Sequence, residues 1–98
     1  MVKALLIHKD DNVAVVISQV KENDEVVYVD KDNKSHSIIA NGSIPQYHKI
    51  AIRDIKENDY VVKYGEHIGL ASCDIKAGDY VHTHNVKDNR ENNKLKEK

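Results

Sequence analysis

Short runs of β-branched residues alternate with polar turn signals along the chain, from its start to about residue 86. Such runs favour strands, and no segment keeps a helical apolar period for more than about two turns. The predicted strands are residues 3–8, 12–19, 26–30, 35–40, 48–53, 60–64, 67–72 and 80–86. The polar stretches 9–11 and 31–34 are short enough to join the first two and the next two strands as hairpins. The pattern therefore predicts a mainly β fold.

A similar phrase recurs at residues 20–26, 55–61 and 75–81. Each copy has an aliphatic residue, a lysine, then Asn or Gly followed by Asp, and finally a β-branched residue. Asn and Gly tolerate the left-handed backbone conformation that ends one extended segment and begins another. The copies are unequally spaced, so they do not form a regular repeat. We expect one kind of corner, used three times in a compact fold.

Composition supports a single small domain. The chain has 98 residues, five tyrosines and neither Phe nor Trp, so Val and Ile must supply most of a modest core. Lys and Arg number 15 against 16 Asp and Glu, and no basic stripe suggests nucleic acid as a partner. Residues 87–98 are almost wholly polar and are predicted to be a disordered charged tail, which leaves residues 1–86 as the domain.

The start of the chain has too short an apolar run for a signal peptide, and no stretch approaches the length of a membrane span. A single cysteine, Cys73, fits a reducing compartment, and we expect it to be a buried or half-buried structural thiol. These features predict a cytoplasmic protein with no membrane partner.

Two histidines, His82 and His84, stand two residues apart in the last predicted strand. On a strand they would project from one face, while Val81 points to the other. Such a pair can ligate a metal, bind a carboxylate or transfer protons near neutral pH. A pair of solvated polar residues on an exposed face is the simpler alternative.

His48 and Lys49 are the other candidates for chemistry. In an extended run His48 would share a face with Ile50 and Ile52, so a histidine at the core edge and a catalytic one are both open. Lys49 would lie on the opposite face with Arg53, as a cationic patch for a carboxylate or as an ordinary solvated face.

Four separated motifs occur along the chain, namely Asp11-Asn12-Val13-Ala14-Val15, Ile44-Pro45 with His48-Lys49-Ile50-Ala51, Lys63-Tyr64-Gly65 with Ile68-Gly69, and His82-Thr83-His84-Asn85. In this order they resemble the small SAF-type domain of the altronate/galactarate dehydratase family. The resemblance extends over roughly residues 3–86 and implies a β-clip fold, a compact β structure bent over on itself. Apart from the resemblance, Asp11 and Asn12 are expected to cap a turn through their side chains.

The resemblance also implies a function. It implies the small subunit of a metal-dependent sugar-acid dehydratase, active only with a large catalytic subunit and using iron (II). His48, Lys49, His82 and His84 would then enter a shared active site, with His82 and His84 as metal ligands or as the acid/base pair. The alternatives are the small subunit of a sulfolactate sulfo-lyase and a non-catalytic module that binds a sugar acid or docks a partner; a homo-oligomer is also open.

One position departs from the family pattern. The family usually has Gly immediately before the His-Lys pair, where this chain has Tyr47. If that glycine allows a substrate or a partner backbone to approach, Tyr47 narrows the approach.

Overall fold

The structure is a computed structural model that describes residues 1–87. Residues 1–87 form strands and turns. They contain no helix, and therefore no helix in this range that is long and apolar enough to cross a membrane. The expected mainly β fold is confirmed. The strands are β1 (Val2–Leu5), β2 (Val13–Val16), β3 (Glu25–Val29), β4 (Ser35–Ile39), β5 (Lys49–Ala51), β6 (Tyr60–Lys63), β7 (Glu66–Ala71), β8 (Tyr80–Val81) and β9 (Val86–Lys87).

The strands form two sheets. Six of them lie in the order β4-β3-β1-β2-β5-β8, and β6, β7 and β9 form the second sheet in the order β6-β7-β9. Both predicted hairpins are confirmed, since β1 pairs antiparallel with β2 and β3 pairs antiparallel with β4. In the larger sheet β1 and β3 pair in parallel.

The three predicted corners are confirmed, and their left-handed residues are those that the sequence indicates. Asn23, Asn58 and Gly78 have φ angles of 73°, 72° and 98°. Each donates its backbone N–H to the carbonyl of a buried alanine at 2.8–2.9 Å, and that alanine donates to the carbonyl of the aspartate that follows. The three alanines are Ala40, Ala71 and Ala51.

A fourth corner, which the sequence reasoning missed, covers residues 44–50. Tyr47 has a φ of 68° and donates its N–H to the carbonyl of Val16 at 2.8 Å. Val16 in turn donates to the carbonyl of His48 at 2.9 Å. Tyr47 and His48 thus occupy the positions of Asn or Gly and Asp in the other corners. Glycine would fit this position with less strain, because left-handed backbone is least costly for Gly.

The side chain of His48 does not cap the fourth corner. In two of the other corners the aspartate side chain accepts the backbone N–H of the corner's lysine, at 2.8 and 2.9 Å. Pro45 occupies the lysine position in the fourth corner, and proline has no N–H. No such cap can form at this turn, so the imidazole of His48 is available for other contacts.

The four corners come in two pairs, and each pair lies in one core cluster. Val20 and Ile44 exchange two backbone hydrogen bonds at 2.8 and 2.9 Å, and Ile55 and Ile75 exchange two at 2.8 and 2.7 Å. All four side chains are at most 2% exposed. Burial of an aliphatic side chain of this size stabilises a fold by roughly 1.5–3 kcal/mol. The first pair packs in one cluster and the second pair in another.

Asp11 and Asn12 join the two sheets, and the expected capping of a turn is confirmed for Asp11, whereas the side chain of Asn12 bonds to β6 instead. The buried carboxylate of Asp11 accepts the N–H of His8 at 3.1 Å and the N–H of Gly65 at 2.8 Å. The side chain of Asn12 accepts the N–H of Val62 at 2.8 Å and donates to the carbonyl of Tyr60 at 2.9 Å. The first turn of the chain is thereby fixed to the β6–β7 hairpin.

Gly69 permits the pairing of β7 with β9. A Cβ at this position would lie 2.6 Å from Cγ1 of Val86 and 2.7 Å from the carbonyl oxygen of Lys87. Lys87 is therefore part of the second sheet, although it was assigned to the tail. The rest of the predicted tail, residues 88–98, lies outside the described residues. One expectation is wrong, because Cys73 is exposed and not buried.

Candidate functional site

Antiparallel pairing of β5 with β8 brings two of the predicted site histidines together. Lys49 is opposite Val81 in this register, so His48, just before β5, faces His82, just after β8. Their ring centroids are 4.9 Å apart. His48 is half-buried at the end of the sheet, whereas Ile50 is fully buried. The ring of His48 therefore lies at the edge of the apolar core and not within it, and a catalytic role for it stays a prediction.

Tyr80 lies at the centre of this group. Its hydroxyl is 2.7 Å from Nδ1 of His48. Its ring is nearly parallel to that of His82, at 11° and 5.6 Å between centroids, and tilted against that of His84 at 5.3 Å. We call these three histidines and Tyr80 the imidazole cluster. Sequence reasoning missed Tyr80, although its position two residues before His82 was an available signal.

The expected strand over residues 80–86 is wrong, because the chain turns between β8 and β9. Asn85, which is 6% exposed, accepts the backbone N–H of His82 at 2.9 Å and donates to the carbonyl of Tyr80 at 2.9 Å. Its own N–H donates to the carbonyl of His82 at 3.1 Å. The rings of His82 and His84 therefore both contact the ring of Tyr80 because of this turn, and not because of the two-residue period of a strand.

Lys49 is half-buried beside the imidazole cluster. Its burial lowers the pKa of the ammonium group, and the nearby charge of Lys63 lowers the pKa further. Within residues 1–87 the side-chain ion pairs are His8 with Asp10 and His36 with Asp30, so no carboxylate in this range compensates Lys49. A partly desolvated cation without a partner favours the binding of an anion.

Arg53 does not belong to this cationic patch. It lies beyond β5 and donates to the carbonyl of Asp11 at 3.1 Å. It lines a separate groove with Tyr28 and Asp30. The predicted Lys49–Arg53 patch is therefore replaced by Lys49 and Lys63.

His82 has a lowered pKa. Desolvation of the half-buried ring is the main cause, followed by the positive charges of His48, Lys49 and His84. The imidazole is thereby favoured in its neutral form near neutral pH, in which one ring nitrogen can accept a proton.

The donors in this part of the chain do not fit a self-contained iron site. Among residues 1–87 no three His, Cys, Asp or Glu side chains are grouped so that they could hold a metal ion. Nδ1 of His48 is also engaged by the hydroxyl of Tyr80. Non-haem iron sites commonly combine two histidines with a carboxylate, and residues 1–87 contain no such group of three.

The fold and the site together define a small all-β domain that groups three histidines, Tyr80 and Lys49 at one end of its larger sheet. The family model described as the altronate/galactarate dehydratase SAF domain matches residues 2–89. The chain belongs to this family, and the resemblance carried by its motifs is confirmed.

Relatives of two kinds share this domain. Altronate dehydratase of Bacillus subtilis (strain 168) is 41% identical over 83 residues, which are 85% of this chain and 16% of that protein. The (2R)-sulfolactate sulfo-lyase subunit alpha of Paracoccus pantotrophus is 42% identical over 62 residues, 63% of this chain and 92% of that subunit. The same subunit of Chromohalobacter salexigens is 36% identical over 83 residues, 83% of this chain and 88% of that subunit. The chain thus spans about a sixth of the altronate dehydratases that it matches.

Proposed function

We propose that this chain is the small subunit of a sugar-acid dehydratase, a hydro-lyase of the altronate or galactarate type, whose active site it shares with a larger subunit. The observation that carries the proposal is the half-buried, uncompensated Lys49 beside three histidines, in a domain of this family. Lysine can neutralise a substrate carboxylate, and histidine can transfer protons near neutral pH.

Dehydration of a dihydroxy acid removes the proton α to the carboxylate and expels hydroxide from the neighbouring carbon. In the proposed site Lys49 binds the carboxylate. Neutral His82 accepts the proton, because its lowered pKa keeps a lone pair available. His84, whose ring contacts the ring of Tyr80, protonates the departing oxygen. His48 contacts a substrate oxygen beside them.

The lengths of the relatives support the proposal of a larger partner. The matched part is 16% of the altronate dehydratases, so most of each of those proteins has no counterpart in this chain. The two sulfo-lyase relatives are named as subunit alpha. We propose that a large catalytic subunit completes the site.

Iron (II) is part of the proposal through the family resemblance alone. A bound divalent metal would stabilise the negative charge that develops on the substrate. Since the donors of residues 1–87 do not fit an iron site by themselves, we propose that the partner supplies most of the ligands. A ligand role for His82 or His84 stays a prediction, as does a cytoplasmic location.

A sulfolactate sulfo-lyase small subunit is the second candidate. The observation in its favour is length, because the chain matches 88–92% of two sulfo-lyase alpha subunits. The same lysine and histidines would then serve an acid that loses sulfite instead of water. The two candidates differ in substrate and share the site.

The decisive experiment is reconstitution. The purified chain would be assayed with altronate, galactarate and sulfolactate in the presence of iron (II), with and without a large dehydratase subunit encoded beside it. We expect turnover by the complex and none by the chain alone. Turnover by the isolated chain would contradict a shared site, and a preference for sulfolactate would select the second candidate.

Site variants separate a catalytic subunit from a docking module. The double variant His82→Ala/His84→Ala should lower activity of the complex at least about 100-fold if either residue transfers a proton. Its free energy of unfolding should change by no more than roughly 1 kcal/mol, as at exposed or half-exposed positions generally. Lys49→Met should raise KM, while Lys76→Met, at an exposed corner lysine, is the matched control. Full activity of the complex with both site variants would indicate that the chain is a non-catalytic module.

A further inference from the structure

The contact between Tyr80 and His48 is held rigidly from both sides. The ring of Tyr80 packs against the first core cluster, so its hydroxyl has a fixed position. The backbone of His48 is fixed by the fourth corner, through the hydrogen bond from Val16 to its carbonyl. The distance of 2.7 Å between the hydroxyl oxygen and Nδ1 is that of a good hydrogen bond.

Neither the hydroxyl of Tyr80 nor the ring of His48 has another hydrogen-bond partner within residues 1–87. Within residues 1–87, Nδ1 of His48 is the hydrogen-bond partner of the Tyr80 hydroxyl, and no hydrogen bond engages Nε2. A phenol is a better donor than acceptor, since its lone pairs are partly delocalised into the ring. A ring nitrogen that accepts a hydrogen bond leaves the proton of a neutral imidazole on the other nitrogen.

We infer that Tyr80 is a positioning residue that fixes the tautomer of His48. Its hydroxyl donates to Nδ1, so neutral His48 carries its own proton on Nε2. His48 therefore offers an N–H group, and not a lone pair, to whatever occupies the site.

The consequence for the chemistry rests on the proposed function. An Nε2–H group donates a hydrogen bond to a carboxylate or hydroxyl oxygen of a hydroxy acid, and it helps to orient that acid beside His82. A lone pair for proton removal must then come from another member of the imidazole cluster. Tyr80 sets this division of roles without touching the substrate.

The test is a measurement of the histidine tautomers in the intact chain. Long-range hydrogen–nitrogen NMR spectra of the nitrogen-15-labelled protein, recorded where histidines are neutral, distinguish a protonated from an unprotonated ring nitrogen. For His48 we expect Nε2 protonated and Nδ1 as the acceptor. Protonated Nδ1 in the unmodified chain would overturn the inference without any variant being needed.

The variant Tyr80→Phe removes the donor and keeps the aromatic ring. We expect the Nδ1 signal of His48 to shift towards that of a free histidine and the tautomers to become a mixture. Tyr60→Phe is the matched control, because the ring of Tyr60 stacks on His67 at 4.0 Å and its hydroxyl makes no hydrogen bond to that histidine. Unchanged His48 nitrogens in Tyr80→Phe would refute the positioning role.

A kinetic arm connects the tautomer to function and is separate from the spectra. In an active complex we expect Tyr80→Phe to lower kcat/KM about tenfold, the scale of one hydrogen bond, and Tyr60→Phe to leave it unchanged. An inactive complex with every acid would contradict the proposed function and leave the tautomer result standing. Full activity of Tyr80→Phe in an active complex would contradict the positioning role alone.

Discussion

Replacement of Asn85 by alanine should destabilise the whole domain, because this side chain closes the turn that carries His82 and His84. Its amide group makes two hydrogen bonds of 2.9 Å, one from the backbone N–H of His82 and one to the carbonyl of Tyr80. With 6% of its surface exposed, the residue leaves little room for water to replace them.

The expected loss follows from the number of these bonds. A typical hydrogen bond contributes about 0.5–1.5 kcal/mol net, and a buried group left without a partner costs about 1–3 kcal/mol. Two bonds to backbone groups near the surface of a turn place the loss for Asn85→Ala at about 2–3 kcal/mol. In a domain of this size that lowers Tm by roughly 10 °C or more. Asn85→Asp keeps the acceptor for His82 and loses the donor to Tyr80, so about half of the effect should remain.

Urea unfolding of the isolated chain, followed by circular dichroism, measures these differences. Thr83→Ala is the control, since Thr83 is exposed in the same turn and should change the free energy of unfolding by less than about 0.5 kcal/mol. If Asn85→Ala unfolded at the same urea concentration as the unmodified chain, the turn would not depend on this side chain. An equal loss in Thr83→Ala would show that the effect is not specific to the amide.

Four further predictions concern single positions. Asp11→Ala should lower the free energy of unfolding in urea by about 3 kcal/mol, since two backbone N–H groups lose a charged acceptor; a loss below about 1 kcal/mol would contradict this. Tyr47→Gly should raise Tm slightly, because relief of left-handed strain of about 1–2 kcal/mol exceeds the added chain entropy of about 0.5–1 kcal/mol; a lower Tm would refute the strain. Because folding lowers the pKa of His82, the unfolded state binds more protons as the pH falls from the ordinary histidine pKa to the lowered one. The free energy of unfolding should therefore fall as the pH is lowered across that window, and it should fall less in His82→Gln. Equal falls in the two proteins would contradict the lowered pKa. Lys49→Met should unfold at higher urea than the unmodified chain, because it removes a partly desolvated charge near Lys63; a less stable variant would show that Lys49 has a partner.

The corners show how far the sequence could predict this fold. Those with Asn23, Asn58 and Gly78 were identifiable because Asn and Gly mark left-handed backbone. The fourth was not, because Tyr47 is not a residue that favours this conformation and His48 replaces the aspartate. Its geometry depends on two backbone hydrogen bonds with Val16, a residue of β2 that is distant in sequence.

The candidate site shows the same limit. The resemblance implied one shared site for His48, His82 and His84, and the structure groups their rings around Tyr80. The strand argument for the two-histidine motif was wrong. The buried side chain of Asn85 bonds to the backbone of its own turn, and this turn ends the strand. A local composition rich in β-branched residues does not reveal it. The contact of Tyr80 with His48 arises from the register of β5 with β8, a long-range pairing that the local sequence does not reveal.

The fourth corner has a consequence for substitution at position 48. Its path is maintained by main-chain bonds to Val16, and Pro45 removes the donor that an aspartate would cap. The side chain at position 48 thus does not cap its own turn, unlike Asp24 and Asp79 in their corners. A substitution at position 48 can therefore change the group that the imidazole cluster presents without removing a cap from the turn.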